Sequence, residues 1–158
     1  MESDILASIF TPSTTHLLVA ALLGMLIGLE REVAGKDPSI RTFSLIATGS
    51  CLFAILSLES FHEYHVGDPT RIAAQIIPGI GFLGAGTIFR SKFGVSGFTT
   101  AALMWMTAGI GMAVGLGRLD LGVTSTFIAL FITLFLRLIH NTVRKYRKLP
   151  YDHSKDTQ

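Results

Sequence analysis

Charged side chains at the ends of apolar segments are the residues of this sequence best placed to do chemistry. Glu30 and Arg31 close one apolar stretch, and Arg41 precedes the next. An acid at a helix C-terminus is disfavoured because the macrodipole is already negative there. Glu30 is therefore expected to have a cationic partner, for which the candidates are Arg41, Arg90 and Lys92. The cluster is either a functional site or an ion network that only fixes the topology.

A second polar pair, Arg71 and Gln75, stands at the start of another apolar segment. Residues four apart share one face of a helix, and Pro78 and Gly79 belong to the same face. Polar groups at membrane depth are costly, so they tend to face the bundle or a wet cavity. Two interpretations follow. The pair lines a site for an ion or a partner, or Arg71 reaches the headgroups while Gln75 bonds a neighbouring helix.

The sequence contains no recognised motif for metal binding or catalysis. One loop carries five potential ligands whose spacing matches no recognised metal motif, so a solvated acidic loop is the simpler interpretation; they are Glu59, His62, Glu63, His65 and Asp68. The sequence lacks G-x-S-x-G, Walker and H-E-x-x-H motifs. Gly79–Gly84 matches G-x-G-x-x-G, but a Pro-containing apolar helix is the wrong context for a dinucleotide. We therefore predict that the protein is not an enzyme and holds no cofactor, and the question of a metal stays open.

Apolar segments long enough to cross a membrane must position these residues. The chain has 158 residues, of which 49% are apolar and only 15% are charged. A spanning helix needs about 20 mostly apolar residues. The sequence predicts an all-α membrane protein with a bundle of about five transmembrane helices within residues 1–143. The predicted spans cover residues 12–29, 42–58, 72–89, 99–116 and 119–139.

The distribution of cations predicts the orientation of this bundle, because cytoplasmic loops carry an excess of Lys and Arg. With five spans, Arg71 and Arg118 fall on one side and eleven cations on the other, which is then cytoplasmic: Arg31, Lys36, Arg41, Arg90, Lys92, Arg137, Arg144, Lys145, Arg147, Lys148 and Lys155. The N-terminus is expected outside and the C-terminus inside. Residues 144–158 are expected to form a basic juxtamembrane segment and a flexible cytoplasmic tail. A net charge of +2 is too small to favour a nucleic-acid partner.

Glycines inside the apolar segments are expected to pack helices together. Small residues let helix backbones approach closely in lipid, where packing drives association. The predicted packing set is Gly24, Gly28, Gly79, Gly81, Gly84, Gly111 and Gly115. This placement predicts that the first, third and fourth helices form a tight core. The fifth, rich in Leu, Ile and Phe, is expected to face lipid.

Three ordered sequence signatures resemble those of the MgtC/SapB family of bacterial membrane proteins. Residues 24–32, followed by 40–42, resemble the first signature, residues 71–86 the central one, and residues 97–115 the third. Together the match covers roughly residues 16–139. Three signatures in order are far more specific than a single Gly motif. The resemblance implies a multi-pass protein of the bacterial inner membrane, and a short form without the cytoplasmic C-terminal domain of several members.

The resemblance also implies a function. The family is associated with adaptation to low magnesium and with virulence, and members are linked to the rotary ATP synthase and to other membrane proteins. We expect a non-enzymatic regulator that acts through membrane-protein contacts, with lipids and further copies of itself as additional partners. The alternative is a small oligomeric ion channel or transporter. The polar residues expected to carry the function are Glu30, Arg31, Arg41, Arg71, Gln75, Arg90 and Thr100.

Overall fold

The computed structural model describes residues 11–65, 67–91 and 94–147, and its elements are mainly helical. In chain order these are α1 (Pro12–Val33), α2 (Ile40–Tyr64), α3 (Arg71–Ala74), α4 (Ile76–Ala85), β1 (Phe89–Ser91), β2 (Gly94–Ser96), α5 (Phe98–Gly115) and α6 (Leu119–Arg147). Four helices are long and apolar enough to cross a membrane, namely α1, α2, α5 and the Leu119–Ile139 part of α6. The predicted helical membrane bundle is thus confirmed, but the described residues contain four helices of spanning length rather than about five, because the third predicted span, residues 72–89, contains only shorter helices. Part of the predicted tail, residues 148–158, lies outside the described residues, as does Lys92.

The first helix begins where the sequence predicts and lies against α2. Thr11 caps it by accepting a hydrogen bond from the Thr14 N–H at 3.2 Å, with Pro12 at the first helical position. Gly24 then lets α1 approach α2 closely. A Cβ there would lie 2.5 Å from the Phe43 carbonyl oxygen. Gly28 acts in the same way, because its Cβ would lie 2.5 Å from the Cα of Ile40.

A neighbouring face of α2 receives α5 through a second pair of glycines. A Cβ on Gly111 would overlap the carbonyl oxygen of Ala47, and one on Gly115 would overlap that of Cys51. The helices α1, α2 and α5 all contact one another and form the core of the bundle. The predicted core of the first, third and fourth helices is wrong in one member, because the second helix takes the place assigned to the third. The position of α2 in the core could not be predicted from the placement of glycines, because the α2 residues at these contacts are not glycines.

The third apolar segment is broken rather than continuous. Pro78 explains the break, because a proline ring clashes with the carbonyl four residues earlier, here that of Ala74. Helix α3 ends at Ala74, and α4 starts at Ile76 with Pro78 tolerated in its first turn. Buried Ser57 of α2 holds the start of this segment: its hydroxyl donates to the Pro69 carbonyl at 2.7 Å and accepts from the Ile72 N–H at 3.2 Å.

A two-stranded antiparallel hairpin follows α4, where the sequence analysis placed only the end of a helix and a loop. Arg90 of β1 pairs with Val95 of β2. Gly97 joins the hairpin to α5 at φ +98°, and a Cβ there would overlap the Thr87 carbonyl oxygen. Only glycine fits both conditions at that position. The hairpin is therefore held directly over the amino end of α5.

The last helix packs on α5 and α1 along a narrow stripe that includes buried Thr126 and Ala129. Large apolar side chains on its other faces are exposed, among them Phe127, Phe131 and Leu134. In a membrane these faces meet lipid tails. The structure agrees with the expected lipid-facing composition of the final helix.

Candidate functional site

A buried ion pair marks one end of the bundle. The Arg31 guanidinium donates from Nε and Nη2 to the two carboxylate oxygens of Glu30 at 2.5 Å and 2.7 Å. The two side chains are 8% and 4% exposed. The expectation that Arg41 or Arg90 would pair with Glu30 is wrong, because its own neighbour in the last turn of α1 supplies the charge. The bidentate geometry compensates for part of the cost of burying both charges.

A cavity of about 680 Å³ opens beside this pair. It lies between the ends of α1 and α6, the second strand of the hairpin and the start of α5. Its polar lining consists of three cations and four hydroxyls, namely Arg31, Lys36, Arg137, Ser96, Thr99, Thr100 and Thr133. None of the described residues that line it is acidic. Because Glu30 neutralises Arg31, the excess positive charge comes from Lys36 and Arg137.

Thr100 is a buried hydroxyl residue in the lining of this cavity. Its side chain is more than nine-tenths buried, yet its hydroxyl has no hydrogen-bond partner among the residues that the structure describes. Helix α5 starts two residues earlier with Gly97 as its N-cap, and no side chain caps it. The first N–H groups of a helix lack intrahelical acceptors and carry a partial positive charge. The cavity therefore combines unsatisfied donors with excess positive charge.

The other predicted polar residues lie elsewhere. Arg41 and Arg90 are exposed and do not line the cavity. Gln75 lines an apolar groove described below, whereas Arg71 lines a small pocket with Asp68. The structure thus brings together only part of the predicted set. Five further lining residues were not predicted as site residues from the sequence, namely Lys36, Ser96, Thr99, Thr133 and Arg137. The charge distribution had placed Lys36 and Arg137 on the side predicted to be cytoplasmic.

The opposite end of the bundle carries exposed polar contacts. The Asp68 carboxylate accepts hydrogen bonds from the Thr70 N–H and hydroxyl, both at 2.8 Å. These two hydrogen bonds lower the pKa of Asp68, and the one from the Thr70 N–H has the larger effect. A side-chain hydrogen bond to Asp120 raises the pKa of Arg118. No group of three His, Cys, Asp or Glu side chains suited to a metal ion occurs in the described parts of the chain.

An apolar groove of about 650 Å³ runs between α2 and the broken α3–α4 segment. Gly49 and Gly79 line it, and a Cβ on either would meet no atom within 4 Å. The same is true of Gly81, which lies two residues after Gly79 on another side of α4 and does not line the groove. Within the described residues, Gly79 and Gly81 therefore do not pack against another helix, contrary to the sequence-based expectation. Gly84 makes ordinary contact with Ala101, at 3.5 Å between the two Cβ positions.

Comparison with known proteins identifies the family. The family model described as MgtC matches residues 17–142. The chain belongs to the MgtC family. The matched region contains most of α1, the apolar parts of the other three long helices, the cavity and the groove. The chain is accordingly a multi-pass membrane protein of this family.

Curated relatives share the same region. The chain is 44% identical over 122 residues to a "Putative magnesium transporter YhiD" of Escherichia coli K12, covering 74% of this chain and 57% of the relative. It is 44% identical over 126 residues to "Protein MgtC" of Salmonella typhimurium LT2, covering 80% and 53%. A Haemophilus influenzae protein without a described function is 40% identical over 140 residues, covering 82% and 59%. The chain thus spans little more than half the length of these relatives. No solved structure matches it.

Proposed function

We propose that this chain is a non-enzymatic regulator in the bacterial inner membrane that binds other membrane proteins during magnesium homeostasis and virulence-type stress adaptation. Its membership of the MgtC family supports a link to magnesium, as do the names of its relatives in Escherichia coli and Salmonella. The sequence resemblance makes the rotary ATP synthase the first partner to test.

The apolar groove carries this proposal. Lipid tails are as apolar as leucine, so a groove in a membrane gains a helical partner through close packing rather than through hydrophobic burial. Glycines allow the closest approach of two backbones. Gly49 and Gly79, which line the groove, have open space where a Cβ would point in the described structure, whereas Gly24 and Gly111 are already in contact within the chain. The open glycines are thus available to a helix of another molecule.

The interior of a single chain offers little support for an ion pathway. Between the two ends of the bundle, the buried polar side chains of the described region are hydroxyls, namely Ser50, Ser57, Thr107 and Thr126. The last three donate to backbone carbonyls. The alternative function, a small oligomeric channel or transporter, would place its path between copies. The broken third segment favours that alternative, because discontinuous helices free backbone groups for ions.

Site-specific photocrosslinking tests the proposal. A benzoylphenylalanine replaces Leu83, which lines the groove and is half exposed. The matched control replaces Phe131, an exposed lipid-facing side chain of α6. We expect crosslinks in native membranes from position 83 to a different membrane protein, identified by mass spectrometry, and only lipid adducts from position 131. Crosslinks to the same chain alone, with cation flux in reconstituted liposomes, would instead support the channel.

A further inference from the structure

We propose that the cavity between α1, the hairpin, α5 and α6 binds a phosphate group, carried by a phospholipid headgroup or by a small soluble anion. The buried Thr100 hydroxyl opens into this cavity and lacks a hydrogen-bond partner within the described structure. Ser44 Oγ is the one fully enclosed side-chain atom without a partner in the described residues, so the Thr100 oxygen is still accessible from the cavity. A ligand in the cavity can therefore use this free hydroxyl as a hydrogen-bond partner. This inference is independent of which membrane protein occupies the groove.

The charge of the site selects an anion. Lys36 and Arg137 add two positive charges to the lining, and the described lining residues contribute no carboxylate. Arg31 adds directional donors. Its Nε and Nη2 are held by Glu30, which leaves Nη1 without a partner among the described residues. A guanidinium fixed in this way is oriented before a ligand arrives.

The donor types and their arrangement select phosphate among anions. Hydroxyls of Ser96, Thr99 and Thr133 join that of Thr100 in the lining. The uncapped amino end of α5 adds backbone N–H groups of the kind that bind phosphate at helix N-termini. A tetrahedral phosphate has several acceptor oxygens. It can therefore accept hydrogen bonds from backbone N–H groups, hydroxyls and a guanidinium at the same time.

The position of the cavity allows either source of the phosphate. Its apolar lining includes Val95, Phe98, Ile132 and Leu136, so one wall could hold the upper part of an acyl chain. Its volume of about 680 Å³ exceeds what a phosphate alone requires. The basic residues lie at the end that the charge distribution predicts to be cytoplasmic, where anionic headgroups and soluble phosphates are both present.

Binding by the purified full-length chain in a non-ionic maltoside distinguishes these sources. Three probes are titrated, and binding is followed by native mass spectrometry and ³¹P NMR where phosphorus is present: dioctanoyl phosphatidylglycerol, dioctanoylglycerol without phosphate, and inorganic phosphate. We expect phosphatidylglycerol to bind and dioctanoylglycerol not to bind. If inorganic phosphate competes with phosphatidylglycerol, the site also accepts a soluble anion. If inorganic phosphate does not compete, the site is specific for the lipid.

Matched variants locate the binding. Thr100→Val removes the free hydroxyl at nearly constant volume, and Arg137→Gln removes one charge. Each is expected to weaken phosphatidylglycerol binding about tenfold, the effect of losing a hydrogen bond to a charged group. Thr107→Val on the same helix and Arg41→Gln at the same end are the controls, because neither residue lines the cavity. Equal weakening by the controls, or equal binding of dioctanoylglycerol, would overturn the proposal.

Discussion

Replacing Gly111 with alanine should separate α5 from α2. The new Cβ would lie 2.8 Å from the carbonyl carbon of Ala47 and 2.9 Å from its Cα. Non-bonded carbon atoms pack at about 3.5 Å or more, so α5 must retreat by at least about 0.7 Å. A gap of that size removes roughly a quarter to a half of each close contact along the seam. We expect a net loss of about 2 kcal/mol in the free energy of unfolding, after a gain of up to about 1 kcal/mol from helix propensity.

Gly79→Ala is the matched control for this prediction. The substitution is identical, but a Cβ at Gly79 meets no atom within 4 Å. Its effect on stability should be neutral or slightly favourable. Unfolding in mixed SDS and maltoside micelles can be followed through the fluorescence of Trp105, the single tryptophan of the chain. If Gly111→Ala unfolds no more readily than Gly79→Ala, the account of the packing between α2 and α5 is refuted.

Three further predictions concern the segments that hold the bundle ends in place. Ser57→Ala should lower the free energy of unfolding by about 1 kcal/mol in the same micelle assay, because it leaves the part-buried Pro69 carbonyl and Ile72 N–H without this partner; an unchanged midpoint would contradict it. Gly97→Ala should cost at least about 1 kcal/mol, since it combines a positive φ with overlap on Thr87; an unchanged midpoint would contradict this. Asp68→Asn should destabilise the chain above pH 3.8. The pKa of Asp68 is lowered in the folded state, mainly by the hydrogen bond from the Thr70 N–H, so its carboxylate stabilises the fold above the unfolded-state pKa and loses this effect as the pH falls through the folded-state pKa. If the stabilities of the Asp68→Asn variant and the unmodified chain change with pH in the same way, the prediction is contradicted.

The sequence predicted the long helices well because lipid imposes a length and a composition on them. The predicted span of residues 99–116 differs by one residue at each end from α5, Phe98–Gly115. The helices α1 and α2 extend beyond their predicted spans into more polar residues such as Glu59, because hydropathy marks the apolar part of a helix and not its caps. The orientation of the termini stays a prediction.

The third segment and the site were harder to predict. Hydropathy cannot distinguish a continuous helix from one broken at Gln75, because Pro78 acts through the carbonyl of Ala74 while leaving the apolar composition unchanged. The cavity depends on a hairpin whose strands have three residues each, too short for a clear alternating pattern. Thr100 was selected from the family signature, but its burial without a partner is visible only once the hairpin and α6 are in place.

Gly49 and Gly79 are open to a helix of a partner, whereas Gly24 and Gly111 hold helices of the same chain together. Gly79→Leu places a large side chain in the groove, and its Cβ meets no atom of the described chain within 4 Å. The decisive measurement is the photocrosslinking yield from position 83 in this variant, with unfolding monitored in parallel. The account predicts that the protein crosslink falls to background while the free energy of unfolding is unchanged. An undiminished crosslink in a folded Gly79→Leu variant would contradict it.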